Sequence, residues 1–183
     1  SRAKFTVSYP SSFMLVASMN PSPSGYFMND KGLSQSSSME MNRYLNKISG
    51  PLLDRIDLHI EVNPVPFEKL ADKSTAEKSD AIRNRVIHAR SLQSQRFKEY
   101  HGIHYNAQMP TKLISIFCEL DETSLNLLQT AMEKLNLSAR AYDRILKVAR
   151  TIADLETADK IKPQHIAEAI QYRSLDRDLW TNN

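Results

Sequence analysis

The sequence lacks residues that several common classes of protein need. Its only cysteine, Cys118, cannot form an internal disulfide, and no secretory signal is recognisable, so we expect a cytoplasmic chain. No apolar run approaches the roughly 18 residues that cross a bilayer, so we expect no membrane partner. Five histidines and one cysteine are a poor set of metal ligands, and we predict no metal site.

Glycine is scarce, and its positions exclude one nucleotide-binding element. None of the four glycines is followed by Lys-Ser or Lys-Thr, so the sequence has no phosphate loop of the G-x-x-x-x-G-K-[ST] type. Charge is also nearly balanced, with 24 basic and 21 acidic side chains. This net charge does not by itself indicate nucleic-acid binding, which needs clustered charge.

The segment from Ser49 to Val62 combines a backbone break with a charged pair. Gly50 and Pro51 interrupt the chain, two leucines follow, and Asp54 and Arg55 precede an apolar run that predicts a strand. We expect the leucines to anchor the segment in a core and to leave Arg55 projecting. Its planar guanidinium suits a phosphate. The alternative is that Asp54 and Arg55 form a solvated pair.

The remaining sequence predicts two strands at the start and several helices in the second half. Alternation over 5–9 and the apolar run over 13–19 each predict a strand, and 21–41 reads as a long loop. A capping pattern from Ser74 to Glu77 precedes a long helix that should end near Gly102. Shorter helices are predicted over 111–117 and 122–135. Ser138 should cap the strongest helix, and Pro163 should open the last one. The strongest helix should bury one apolar stripe, formed by Ala141, Ile145, Val148, Ile152 and Leu155.

Five stretches of the sequence carry a resemblance to a known family. The chain resembles the magnesium-chelatase-related ATPases of the ComM/YifB type, a branch of the AAA+ superfamily, and the resemblance covers nearly its whole length. The matching stretches run from Met14 to Pro21, Arg43 to Leu58, Asn106 to Met109, Leu137 to Leu155 and His165 to Trp180.

This resemblance implies a mainly α fold, α+β overall, in two parts. Residues 1–66 are expected to form the truncated remnant of an AAA+ α/β core with a few strands. Residues 67–183 are expected to form an all-helical lid. The chain is then the C-terminal portion of an ATPase module, without its phosphate loop or the acidic strand that helps to hold magnesium.

The resemblance also implies roles for particular residues. Asn20 matches sensor 1, which orders the attacking water, and Arg55 matches the arginine finger; both are predicted to be catalytic. Arg140 is assigned as the sensor 2 arginine that binds nucleotide, with Arg144 as the second choice. The alternative for Arg140 and Arg144 is a solvated basic face. Arg43 is a weaker candidate for the subunit interface.

At two loop positions the sequence departs from many members of the family. Those relatives carry cysteines where this chain has Ser22 and Ser24. Hydroxyls do not replace thiolates in a structural zinc site, which adds to the prediction that the chain holds no metal.

As a function, the resemblance implies a parent protein that hydrolyses ATP with Mg²⁺ as a ring-forming motor. We expect a hexamer that acts on DNA in competence or branch migration. The isolated chain should neither bind ATP tightly nor hydrolyse it. The alternative is a helical nucleic-acid or protein-binding module that docks through the arginine-bearing helices 76–100 and 139–156. Magnesium insertion into a porphyrin follows only from the family's name.

Overall fold

The computed structural model describes residues 6–11, 13–20, 43, 50–62, 65 and 77–173. The chain divides into two units, residues 1–48 and residues 49–183. The predicted domain boundary at Pro66 lies outside the described residues, as does the predicted loop 21–41. No helix within the described ranges has both the length and the apolar character that a membrane span requires.

The described residues of the first unit do not form the strands that the sequence predicts. Residues 6–11 and 13–20 lie in neither helix nor strand, and the side chains of Phe13 and Val16 are 73% and 81% exposed. A strand is stabilised by backbone hydrogen bonds to a neighbouring strand, and the described part of this unit supplies none. Arg43 is helical and exposed.

All the regular secondary structure in the described residues of the second unit is helical. These residues contain six α-helices and one 3₁₀ helix. They are α1 (Gly50–Leu53), α2 (Ser79–Arg96), the 3₁₀ helix (Asn106–Gln108), α3 (Thr111–Phe117), α4 (Glu122–Lys134), α5 (Ala139–Leu155) and α6 (Pro163–Gln171). The all-helical lid is therefore confirmed in these residues.

The α/β remnant is not found in the described residues, which correct the α+β expectation. The run from Ile56 to Val62, predicted as a strand, has no regular secondary structure, and Leu58, Ile60 and Val62 are exposed. An apolar run becomes a strand only when a second strand meets its backbone. No second strand lies among the residues that the structure describes.

The helices of the second unit begin where local chemistry supplies a cap. Ser138 accepts a hydrogen bond from the Ala141 amide at 3.2 Å and so caps α5, and Pro163 occupies the first turn of α6. By contrast, α2 begins at Ser79 rather than in the predicted capping pattern. Ser74 lies outside the described residues, and Glu77 accepts two hydrogen bonds from Arg85.

The core of the second unit is built around α5. This helix contacts α2, α3, α6 and the 3₁₀ helix, and its predicted apolar stripe is buried at Ala141, Ile145 and Ile152. Leu155, at the end of the stripe, is 40% exposed. Cys118 lies in the same core, where burial raises the pKa of its thiol to about 12. Cys118 is therefore a small residue of the core.

A buried carboxylate joins α5 to α2 and to the 3₁₀ helix. Asp154 is fully buried and accepts hydrogen bonds from Arg96 and Asn106, each at 2.8 Å, and from Arg150 at 3.1 Å. Arg150 also donates to the Ala158 carbonyl at 2.6 Å. Burial alone would raise the pKa of Asp154, but these hydrogen bonds and the two positive charges outweigh it and lower that pKa.

Replacement of Asp154 with Asn should strongly destabilise the second unit. The substitution leaves the buried Arg150 guanidinium without its counter-charge, which costs about 3–5 kcal/mol in comparable buried pairs. Urea denaturation of the chain, followed by circular dichroism, measures the loss. Asp80→Asn is the matched control, because its ion pair with Arg83 at 3.5 Å is exposed and should contribute almost nothing.

The Asp154 carboxylate should also make the stability of the chain depend on pH. A carboxylate whose folded pKa is lowered stabilises the fold above its unfolded pKa of about 4, and this contribution is lost as the pH falls further. Between pH 5 and pH 3, roughly the range around that value, the unfolding free energy of the Asp154→Asn variant should therefore fall less than that of the wild type. An equal fall in variant and wild type would contradict the proposed role of Asp154.

Candidate functional site

The segment that carries Arg55 is a turn held by its own backbone. The Arg55 amide donates to the Leu52 carbonyl at 3.0 Å and the Ile56 amide donates to the Leu53 carbonyl at 2.9 Å, which closes the end of α1. Arg55 is exposed there. The fixed turn beneath an exposed guanidinium is the arrangement that the sequence predicts for this residue.

Only one of the two expected leucine anchors is buried. Leu53 is 4% exposed, whereas Leu52 is 47% exposed. In a four-residue helix, adjacent side chains point about 100° apart, so a single neighbouring core can cover one of them but not both. The prediction of a two-leucine anchor is therefore wrong for Leu52 and confirmed for Leu53.

The residues after Arg55 are bound to the end of α6. The His59 amide donates to the Tyr172 carbonyl at 2.7 Å, and Arg173 donates to the Ile56 carbonyl at 2.5 Å. Arg173 also lies 3.8 Å from the Asp54 carboxylate and is only 1% exposed. A buried guanidinium is costly unless it is paired, so these contacts fix its position.

The two predicted nucleotide-binding arginines of α5 have different surroundings. Arg140 lies in the first turn and is exposed, and no partner for its side chain lies among the described residues. Arg144, one turn later, forms an ion pair with Asp57. Lys147, a further turn on, donates to the Ala107 carbonyl at 3.0 Å, and burial together with the nearby positive charge of Arg144 lowers its pKa.

The second unit thus brings Arg144 of α5 into contact with the segment that carries Arg55. Asn20, the predicted sensor 1 residue, belongs to the first unit, where it is exposed. The roles of Asn20, Arg55, Arg140 and Arg144 stay predictions.

Sequence reasoning missed Asp57 and Arg173 as members of this site. Their partners lie 87 and 117 positions away along the chain, respectively, and no local pattern connects residues at such distances. No signal in the sequence distinguishes Arg173 from the other charged residues that follow it, Asp176, Arg177 and Asp178.

Much of the positive charge on α2 and α5 has acidic partners. This reduces the basic face that the alternative of a nucleic-acid-binding module requires. The paired arginines are Arg83 with Asp80, Arg85 with Glu77, and both Arg96 and Arg150 with Asp154. Arg90 instead stacks on the ring of Tyr105, with its guanidinium carbon 4.4 Å from the ring centroid.

The described residues contain no cluster of three or more histidine, cysteine, aspartate or glutamate side chains that could hold a metal ion. Ser22 and Ser24 lie outside the described residues. The expectation that this chain holds no metal therefore stays a prediction.

Comparison with known protein families covers both units. A family model described as magnesium chelatase, subunit ChlI, matches residues 1–70, and one described as the C-terminal part of that subunit matches residues 76–173. The chain belongs to the magnesium chelatase ChlI family. The resemblance stated from the sequence motifs is confirmed.

Individual relatives of this ChlI-family chain are much longer than it is. It is 40% identical over 181 residues to YifB of Salmonella typhimurium and 41% identical over 180 residues to the competence protein ComM of Haemophilus influenzae. Each match covers 98% of this chain and 34% of the relative. A protein of Mycobacterium tuberculosis is 32% identical over 165 residues, which are 90% of this chain and 32% of that protein. The chain therefore spans about a third of the length of these relatives.

Replacement of Leu53 with Ala should destabilise the second unit of this ChlI-family chain far more than replacement of Leu52. Leu53 is buried, so its truncation should cost about 2–3 kcal/mol through lost burial and a residual cavity. Leu52→Ala is the matched control and should change the unfolding free energy by less than about 1 kcal/mol. Urea denaturation of both variants makes the comparison, and equal effects would contradict the assigned anchor.

Proposed function

We propose that this chain is part of a longer, ring-forming ATPase of the magnesium chelatase ChlI family. In that ATPase it supplies sensor 1, the arginine finger and sensor 2. The observation that supports this most directly is the continuous match to ComM and YifB, which covers 98% of the chain at about 40% identity. In the parent protein, ATP with Mg²⁺ is bound and hydrolysed, and neighbouring subunits, six in the ring we propose, share each site.

The exposure of Arg55 supports its assignment as the arginine finger. A residue that acts on the nucleotide of the next subunit must reach out of its own subunit from a fixed base. The exposure of Arg55 on a turn closed by two backbone hydrogen bonds and anchored by Leu53 supports this proposal. Its guanidinium can donate two hydrogen bonds to the phosphoryl group whose charge grows during transfer.

Arg140 is the better of the two sensor 2 candidates. Its side chain is exposed in the first turn of α5, where the helix dipole also favours an anion, so it fits a triphosphate. Arg144 already has the Asp57 carboxylate as its partner. Mg²⁺ in proteins often binds through substrate phosphates and one or two carboxylates, and we propose that it enters this site with ATP.

DNA is the proposed substrate of the motor. One relative is named a competence protein, and the family resemblance associates such proteins with DNA uptake and branch migration. The pairing of the α2 arginines with acidic residues argues against DNA binding by this lid alone. Salt-dependent binding of DNA by the 183-residue chain would instead favour the alternative of a helical nucleic-acid-binding module.

The isolated chain should not bind ATP tightly. Its sequence has no phosphate loop, and two or three arginines without backbone amides give little affinity for a solvated triphosphate. Calorimetric titration with Mg²⁺-ATP should show binding weaker than about 1 mM, equivalent to about −4 kcal/mol. A micromolar dissociation constant would contradict the proposal, and the Arg140→Ala variant would then show whether that site is the one predicted.

Replacement of Arg55 with Ala in the full-length protein should abolish ATP turnover and spare nucleotide binding. Arginine fingers contribute roughly 10³-fold or more to the rate of phosphoryl transfer, so kcat should fall by about that factor. Steady-state hydrolysis and ATP titration measure the two quantities. Arg83→Ala, an exposed arginine of α2, is the control and should retain full turnover. Loss of ATP binding in the Arg55 variant would indicate a structural role instead.

A further inference from the structure

Residues 54–59, here called the finger segment, are held on two sides by the helical lid. Arg144 of α5 binds the Asp57 carboxylate. On the other side, the Arg173 guanidinium donates a hydrogen bond to the Ile56 carbonyl, and the His59 amide donates one to the Tyr172 carbonyl. Arg55 lies in this segment directly before the attached residues Ile56 and Asp57, so any movement of the lid helices is passed to the backbone that carries it.

The two attachments differ in strength. Arg173 is 1% exposed and binds a backbone carbonyl, so it works as a permanent structural link. The side chains of Arg144 and Asp57 are 29% and 49% exposed, and ion pairs with this much water around them are weak and form and break readily. The α5 attachment is therefore the one that can change during an ATP cycle while the fold stays intact.

Arg144 also lies one helical turn after Arg140. Residues four positions apart share one face of a helix, so the proposed nucleotide contact and the finger-segment contact project from neighbouring points on α5. A shift of α5 towards a bound nucleotide must pull on Asp57 through Arg144. The same helix therefore carries both the proposed nucleotide contact and the side chain that binds the finger segment.

We propose that Arg144 is a positioning residue for Arg55 and acts through its ion pair with Asp57. It links the nucleotide state sensed at Arg140 to the orientation of the arginine finger offered to the neighbouring subunit. This inference depends on the proposed ATPase function. It assigns Arg144 a different task from the direct nucleotide contact that the family resemblance suggests as its second choice.

The decisive experiment compares Arg144→Gln and Asp57→Asn in the full-length protein. The two variants break the same ion pair from opposite ends. Each should therefore lower kcat about tenfold or more, by a similar factor in the two variants, and leave ATP affinity unchanged within about twofold. The double variant should be no worse than either single variant, because the two residues form one interaction. The charge-swapped pair Asp57→Arg with Arg144→Asp should recover part of the lost turnover.

A direct nucleotide contact predicts a different result. Arg144→Gln would then weaken ATP binding about tenfold or more, and Asp57→Asn would leave both binding and turnover unchanged. Either observation overturns the inference. Arg55→Ala in the same protein distinguishes a failure of the proposed ATPase function from a failure of the positioning role of Arg144. If that variant keeps its turnover, the proposed function itself fails; if it is inactive while Asp57→Asn is fully active, only the positioning role fails.

A second measurement uses the 183-residue chain and does not depend on activity. The His59 amide, bonded to the Tyr172 carbonyl at 2.7 Å, reports how firmly the finger segment is held. Its hydrogen exchange, followed by nuclear magnetic resonance, should accelerate at least fivefold in Arg144→Gln and in Asp57→Asn. Arg140→Gln removes the same charge one turn earlier on α5 and should leave the exchange unchanged. Equal exchange in Arg144→Gln and wild type would overturn the proposal.

Discussion

The helical unit depends on a carboxylate that is kept charged without access to water. Asp154 is fully buried, and it remains ionised because Arg96 from α2, Asn106 from the 3₁₀ helix and Arg150 from its own helix all donate to it. Each donor must approach the Asp154 carboxylate from a particular direction to form its hydrogen bond. The network therefore determines how α2, the 3₁₀ helix and α5 sit against one another, beyond what the apolar core alone can specify.

The position of α5 in turn determines where the arginines on its solvent-facing side lie. Ile145 and Ile152 are buried on the core side, so the arginines on the other side of the helix project at the rim of the lid. Arg140 and Arg144 are one turn apart and identical in chemistry, yet of the two only Arg144 forms an ion pair within the part of the chain that the structure describes. Equivalent residues on one helix thus have different surroundings because different residues pack beside each turn.

The elements that could be predicted from the sequence are those whose determinants are local. The spacing of Ala141, Ile145 and Ile152, together with the Ser138 cap, sufficed for α5, and the short helix Thr111–Phe117 was predicted with its observed bounds. The predicted strands failed because a strand depends on a neighbouring strand that local sequence does not reveal. Both attachments of the finger segment, from Arg144 and Arg173, were also missed, since they join residues far apart in sequence.

The end of the finger segment and the residues after it carry apolar side chains that remain exposed. His59 is buried against the lid, whereas Leu58, Ile60 and Val62 alternate with it and remain exposed. Residues 58–62 have no regular secondary structure, and the hydrogen bond from the His59 amide to the Tyr172 carbonyl holds this stretch to the lid. Exposed apolar side chains of this kind are normally covered by another part of a protein or by a partner. Because the exposed stretch begins inside the finger segment, whatever covers it also lies beside the backbone that carries Arg55.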